Sequence, residues 1–149
     1  MRAVVQRVSS ARVGVAGETV GEIGAGLVVL VSVGTDDDES DARSMAEKLA
    51  GLRIFPDEQG LMNRSVSESG GAVLLVSQFT LHGDVRRGRR PSFAAAAKEP
   101  QARALYELCG SILAAAGMPV SYGRFGARMQ VELVNEGPVT ILVDTKRTF

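Results

Sequence analysis

The chain has 149 residues, 45% of them hydrophobic, and its 17 basic and 17 acidic residues give a formal net charge of zero at pH 7. This composition predicts a single domain over residues 1–149 with a sizeable core, and the balanced charge excludes a polycation that binds nucleic acid through its overall charge. A single cysteine, a single histidine and the lack of a membrane-length apolar run lead us to expect a cytoplasmic protein without disulfide, metal or cofactor.

The first third of the chain is rich in strand signals separated by glycines. Segments 2–8, 11–15, 18–23 and 27–33 alternate or are β-branched, and their spacing predicts an antiparallel meander. By alternation, Arg7 shares a face with Val5. Arg7 is therefore either an exposed strand arginine or an inward one that needs acceptor oxygens, such as the carbonyls of the Gly137-Pro138 segment.

Two helices are predicted from apolar periodicity. The first opens with the acidic residues 36–39 at its positive end and ends near Gly51. The second begins at Pro100 and ends near Gly117, and its apolar stripe contains Cys109. We therefore expect Cys109 to be a buried, unreactive thiol.

Between the helices lies a continuous apolar run, residues 72–76, which predicts a strand buried on both faces. It ends in polar sequence at Ser77, Gln78, Phe79 and Thr80. Backbone N–H groups and hydroxyls at such a strand end can face a ligand, or they can simply satisfy a turn.

A loop with four arginines follows, and it is the only basic cluster in the chain. It spans residues 83–93, which we call the arginine loop, and contains Arg86, Arg87, Arg89 and Arg90. Such a loop is either a solvated surface or a contact for a phosphate backbone.

Gly137-Pro138 interrupts two strand-like runs, residues 130–134 and 139–143, near the C-terminus. Proline cannot donate to a ladder, so the pattern predicts a hairpin with a short connection. An X-Pro bond prefers trans by only about 0.5–1 kcal/mol, and glycine leaves neighbouring carbonyls unshielded. The connection is thus either a plain turn or a loop that presents carbonyl oxygens to a ligand.

The sequence offers few side chains for catalysis. A hydrolase triad needs a histidine, and only His82 is available. In an extended strand it would share a face with Thr80, which allows a dyad, although its place before the arginine loop favours an exposed histidine. Catalysis otherwise has to rely on backbone donors and on groups of the substrate.

The segments Ser77-Gln78-Phe79-Thr80-Leu81 and Asn135-Glu136-Gly137-Pro138-Val139-Thr140 together resemble the two signature motifs of the D-aminoacyl-tRNA deacylases. The resemblance continues through residues 1–8, 90–93 and 123–127 and covers nearly the whole chain. It implies a homodimer of α/β subunits, each an antiparallel-rich, β-barrel-like sheet with two main helices. It also implies hydrolysis of the ester that joins a D-amino acid, or achiral glycine, to the 3′ end of tRNA.

The resemblance further implies roles for individual residues. In the family the Gly-Pro bond is cis and its carbonyls, reaching into the partner subunit's site, crowd the space of an L side chain. Gly137 and Pro138 would form this filter, Arg7 would hold it, and Met129 would line the site. The residues around the amino acid and terminal adenosine would be Ser77, Gln78, Phe79, through its N–H, and Thr80 as orienting group or nucleophile. The 2′-OH of the terminal ribose would activate water, and Arg86, Arg87, Arg89 and Arg90 would contact tRNA.

Two other functions fit parts of the sequence. The arginine loop and the missing triad fit a dimeric RNA-binding module without catalysis. The proximity of Thr80 and His82 in the sequence fits an esterase that uses these two side chains as a dyad.

Overall fold

A six-stranded mixed sheet organises the fold, and two helices cover one of its faces. The computed structural model describes all residues, 1–149. Its strands are β1 Arg2–Val15, β2 Glu18–Ile23, β3 Gly26–Ser32, β4 Phe55–Pro56, β5 Met62–Arg64, β6 Ala72–Ser77, β7 Val120–Tyr122 and β8 Gln130–Asp144. The helices are α1 Glu39–Gly51 and α2 Gln101–Ala115, as the apolar periodicity predicted.

The strand order is β2-β1-β3-β6-β7, with β8 paired to β1, while β4 and β5 form a separate two-stranded sheet. β1 is antiparallel to β2, β3 and β8, whereas β6 is parallel to both β3 and β7. β2 and β7 meet at Gly21, where a Cβ would overlap the Tyr122 carbonyl. The predicted barrel-like α/β fold is confirmed, but the sheet is mixed because β6 and β7 are parallel additions.

The predicted meander is wrong in its pairing. Segments 2–8 and 11–15 form one strand, β1, which is 14 residues long. β2 pairs with residues 11–15 of β1, and β3 pairs with residues 2–8. β2 and β3 therefore pair with different halves of the same edge-to-edge partner, β1, and β3 does not pair with β2.

The predicted hairpin at Gly137-Pro138 is also wrong. Both runs belong to β8, which is antiparallel to β1 along its whole length. The register passes from Gln6 opposite Thr140 to Val8 opposite Asn135, so residues 136–139 bulge out opposite Arg7. We call these four residues the β8 bulge. A bulge removes the proline from the ladder without reversing the chain, which is why the local sequence did not distinguish it from a turn.

β3 and β6 are buried on both faces, as predicted for residues 72–76. One face packs under the helices in a cluster of 24 buried residues, and the other lies inside the barrel in a cluster of seven. Cys109 belongs to the first cluster, and burial raises the pKa of its thiol to about 12. None of the helices is long and apolar enough to cross a membrane.

Candidate active site

A cleft of about 530 Å³ opens where β3 and β6 end. The two strands are parallel neighbours, so their carboxyl ends meet at the same edge of the sheet. One wall comes from this edge and the other from the start of α2 and the segment before β8. The lining residues are Val31, Ser32, Val33, Ser77, Gln78, Phe79, Phe93, Ala96, Ala97, Lys98, Glu99, Ala102, Tyr106, Phe125, Gly126, Ala127 and Met129.

The polar segment after β6 is held by main-chain bonds. The Gln78 N–H donates to the Val31 carbonyl at 2.8 Å, and residues 79–82 form a 3-10 turn. Ser77, Gln78 and Phe79 line the cleft. Thr80 is exposed beside it, and its hydroxyl accepts a hydrogen bond from the Gln78 side-chain amide. The backbone thus fixes this segment, and Gln78 connects Thr80 to the cleft wall.

His82 is buried, in contrast to the expected exposed loop histidine. Its Nδ1 lies 2.6 Å from the Ser32 hydroxyl oxygen, and that oxygen lies 3.4 Å from the Phe79 carbonyl. The 3-10 turn removes the strand geometry that would have aligned residues 80 and 82, so the Thr80/His82 dyad does not form. Burial lowers the pKa of His82, and the nearby Arg2 lowers it further.

Aromatic side chains form the opposite wall. The buried Tyr106 hydroxyl donates to the Leu75 carbonyl at 2.9 Å, and burial raises its pKa. Its ring centroid lies 5.5 Å from that of Phe125, over which the Arg103 guanidinium stacks at 4.7 Å. Met129 completes this wall.

Sequence reasoning did not assign most of the other lining residues to the site, among them Ser32, Tyr106 and Phe125. Two of them carried a usable signal. Ser32 interrupts an otherwise apolar strand, and Tyr106 stands beside the apolar stripe of α2. A buried hydroxyl needs a hydrogen-bond partner, so a polar residue at either position is a sign of a local polar contact, although the sequence does not identify the partner.

The cleft has few ionisable groups. Those that line it are Lys98, Glu99 and Tyr106. Glu99 accepts a 2.8 Å hydrogen bond from Arg103, and Tyr106 is committed to the Leu75 carbonyl. No group of three or more His, Cys, Asp and Glu side chains is placed to hold a metal ion. The polar groups available to a ligand are therefore mainly hydroxyls, amides and backbone.

Arg7 connects the β8 bulge to the segment before β4. Its Nε donates to the Glu136 carbonyl at 3.1 Å and its Nη1 to the Ile54 carbonyl at 2.6 Å. The Gly137-Pro138 peptide bond is cis, and Gly137 has φ +128°. Residues 136–138 are exposed and do not line the cleft of their own chain.

The arginine loop is closed at its base and open at its tip. Asp84 and Ser92 exchange main-chain hydrogen bonds of 2.8 and 2.9 Å. Asp84 also binds the Arg86 guanidinium at 2.9 and 2.6 Å, which lowers the pKa of its carboxyl group. The remaining arginines of the loop are exposed: Arg87, Arg89 and Arg90.

Comparison with known proteins connects this architecture to one family. Residues 4–144 match the sequence profile of the family described as D-Tyr-tRNA(Tyr) deacylase. A D-aminoacyl-tRNA deacylase of Symbiobacterium thermophilum is 62% identical over 149 residues, covering 100% of this chain and 99% of its own. One of Thermotoga petrophila is 56% identical over the full length of both chains.

Solved structures give the same fold. A structure titled c-Myc DNA Unwinding Element Binding Protein has a TM-score of 0.92 and 39% identity, and the match covers 97% of this chain and 99% of that one. A structure titled as a probable eukaryotic D-amino acid tRNA deacylase has a TM-score of 0.81 over 95% of this chain and 97% of that one. At 21% identity, the second likeness bears on the fold alone.

Proposed function

Because the chain belongs to the D-aminoacyl-tRNA deacylase family and is a hydrolase of ester bonds, we propose that its cleft receives the aminoacylated 3′ end of a mischarged tRNA. The observation that carries this proposal is the backbone-held segment Ser77 to Thr80 at the edge of the cleft. The terminal adenosine and its D-aminoacyl group lie between this segment and the wall formed by Tyr106, Phe125 and Met129. The enzyme assignment replaces the non-catalytic RNA-binding module.

The catalytic step uses backbone and substrate groups. The Phe79 N–H stabilises the oxyanion that forms when water attacks the ester carbonyl, and Gln78 and Thr80 orient the reacting groups. The 2′-OH of the terminal ribose assists the water, since the cleft has no histidine and its one carboxylate, Glu99, is paired with Arg103. The products are the free D-amino acid and the 3′-OH of tRNA.

The β8 bulge is the chiral filter. The Gly137 and Pro138 carbonyls repel an L side chain, while a D side chain or the hydrogen of glycine avoids them. Arg7 holds the bulge through the Glu136 carbonyl, and its second bond to the Ile54 carbonyl limits movement of the arginine itself. A filter built from backbone reads the direction of the substituent and not its chemistry, so many D-amino acids are accepted.

The filter acts in the cleft of a second copy of the chain, and the working unit is a homodimer. Residues 136–138 are exposed and do not line their own cleft. β8 pairs only with β1, so its other edge is open, and Val134 and Leu142 on this strand are 55% and 61% exposed. An open, apolar edge strand is a surface that proteins normally cover.

The tRNA body is bound beside the cleft. Arg87, Arg89 and Arg90 are exposed and suit phosphate contacts, whereas Arg86 is partly neutralised by Asp84. We place this activity in the cytoplasm, where tRNA is charged.

The assay that tests the chiral proposal compares D-tyrosyl-tRNA and L-tyrosyl-tRNA. We expect release of D-tyrosine and sparing of the L ester, and equal hydrolysis of both would contradict the filter. A D-tyrosyl-tRNA that ends in 2′-deoxyadenosine tests the assisting hydroxyl. An unchanged rate on this substrate would exclude the role of the 2′-OH.

The dimer is tested separately by sedimentation. Val134→Lys should move the protein toward the monomer and remove activity together, because a charge in an apolar interface is costly. A fully active monomer would contradict the shared site.

A further inference from the structure

Two exposed phenylalanines stand at the rim of the cleft. Phe79 is 58% exposed and Phe93 is 36% exposed, although both line the cleft. Their ring centroids are 5.1 Å apart and the rings are inclined by 75°. Large aromatic side chains left exposed beside a pocket indicate a contact surface for a ligand.

This aromatic rim is fixed to the backbone on both sides. Phe93 packs on Gly83, where a Cβ would lie 3.0 Å from the Phe93 Cε1 atom. The main-chain bonds between Asp84 and Ser92 close the arginine loop next to this contact. Phe93 thus both lines the cleft and adjoins the base of the arginine loop.

We propose that Phe79 and Phe93 form a stacking subsite for the nucleobase that precedes the terminal adenosine of the substrate. This inference rests on the proposed function. A cleft of 530 Å³ has the size of a site for one small organic ligand, so a single aminoacylated nucleoside fills it and the next base lies at the rim.

The chemistry of the rim fits this occupant. The 3′ end of tRNA is single-stranded, and unpaired bases stack on aromatic side chains with little dependence on sequence. The strand that carries the stacked base is a polyanion, and the exposed Arg87, Arg89 and Arg90 belong to the arginine loop, whose base adjoins Phe93. The base that precedes the terminal adenosine would therefore contact the aromatic rings, and the phosphates beyond it would contact the arginines.

The experiment uses three D-tyrosyl esters of increasing length. They are the ester of adenosine, the ester of the dinucleotide cytidylyl-adenosine, and the same dinucleotide with an abasic residue in place of cytidine. The abasic compound keeps the phosphate and removes only the base. We expect the cytidine to raise kcat/KM about tenfold over the abasic ester, the scale of one stacked base.

Phe93→Leu should remove most of that gain, because leucine preserves the packing on Gly83 but offers no π face. Phe149→Leu is the matched control, since Phe149 is 64% exposed and does not line the cleft. This variant should keep the full gain.

Each other outcome overturns the subsite. A gain that survives in Phe93→Leu would show that the base does not stack there. An equal loss of kcat/KM on the cytidine and abasic esters in Phe93→Leu would show that Phe93 supports the fold of the site and not the stacking of a base. A changed sedimentation coefficient in this variant would show that Phe93 takes part in a subunit contact. Cleavage of tyrosyl-adenosine without any gain from cytidine would remove the subsite alone, whereas no cleavage of any ester or of D-tyrosyl-tRNA would remove the proposed function as well.

Discussion

The imidazole Nδ1 of His82 lies 2.6 Å from the Ser32 hydroxyl oxygen and faces the protein interior. Ser32 is the last residue of β3, and His82 ends the 3-10 turn that follows β6. The Ser32 hydroxyl also lies 3.4 Å from the Phe79 carbonyl. The pair therefore joins the ends of two parallel strands next to the segment that lines the cleft.

Replacement of His82 should affect stability more than chemistry. His82→Leu leaves the Ser32 hydroxyl with only the distant Phe79 carbonyl, so the free energy of unfolding should fall by about 1–2 kcal/mol. The side-chain amide of His82→Asn can replace Nδ1 and should recover most of this loss. Urea unfolding and deacylation of D-tyrosyl-tRNA measure the two effects. A general base is worth about 10²–10⁴ in rate, so a loss of 100-fold or more in both variants would revive the dyad with Thr80.

The protein should become less stable at mildly acidic pH because the buried His82 resists protonation in the folded state. Burial lowers its pKa below the ordinary value of 6.5 in the folded state, so the unfolded chain takes up a proton at higher pH than the folded one. The free energy of unfolding should decrease as the pH falls below about 6.5 and level off below the folded pKa. Urea unfolding between pH 8 and pH 5 tests this dependence. His82→Asn should lose this component, and an identical pH profile in the variant would refute its assignment to His82.

Arg7→Lys should weaken chiral discrimination. A lysine ammonium is a point donor and cannot bridge the Ile54 and Glu136 carbonyls with the fixed fork of a guanidinium. We expect the ratio of D to L hydrolysis to fall about tenfold or more, since one lost hydrogen bond from a charged group is worth about 1.5 kcal/mol or more. Arg43→Lys, an exposed pair with Glu39 on α1, is the control. An unchanged ratio in Arg7→Lys would show that the β8 bulge is held by other contacts.

Gly137→Ala should displace the β8 bulge. A Cβ there would lie 2.9 Å from the Val139 Cγ2 atom and 3.0 Å from Arg7 Nη2, and the φ of +128° is strained for alanine. If the bulge is the filter, the ratio of D-tyrosyl-tRNA to L-tyrosyl-tRNA hydrolysis should fall more than about tenfold, since misplacement of a site by about 1 Å can cost 100-fold. Gly17→Ala has a positive φ but no atom within 4 Å of the new Cβ, so it controls for backbone strain alone. Equal effects of both substitutions would remove the special role of Gly137.

Removal of one charge from the arginine loop should weaken tRNA binding in a salt-dependent way. The association constant for tRNA falls as the salt concentration rises. Arg89→Gln should make the slope of its logarithm against log salt concentration less steep by about 0.7–1, the value for one phosphate contact. Arg86→Gln should change it less, because Asp84 already binds that guanidinium. Filter binding of deacylated tRNA from 50 to 300 mM salt gives both slopes, and identical slopes in wild type and Arg89→Gln would place the tRNA elsewhere.

Local sequence determined the helices, the doubly buried strand β6 and the two motifs. The first turn of α1 shows why: its acidic residues predicted a helix start, and Asp38 caps the helix through hydrogen bonds with Ser40 and Asp41. Apolar periodicity and capping act over a few residues, so the chain itself carries their signal. The same holds for Cys109, whose place in an apolar stripe predicted its burial.

Tertiary structure decided the pairing of β1, the bulge in β8 and the burial of His82. Gly137-Pro138 fits a turn or a bulge equally well, and only the long partner strand β1, continuing past Arg7, makes it a bulge. His82 is buried because Ser32, 50 residues earlier in the chain, supplies a partner for its imidazole. Contacts between residues so distant in sequence depend on strand order and register, which no local pattern of one chain specifies.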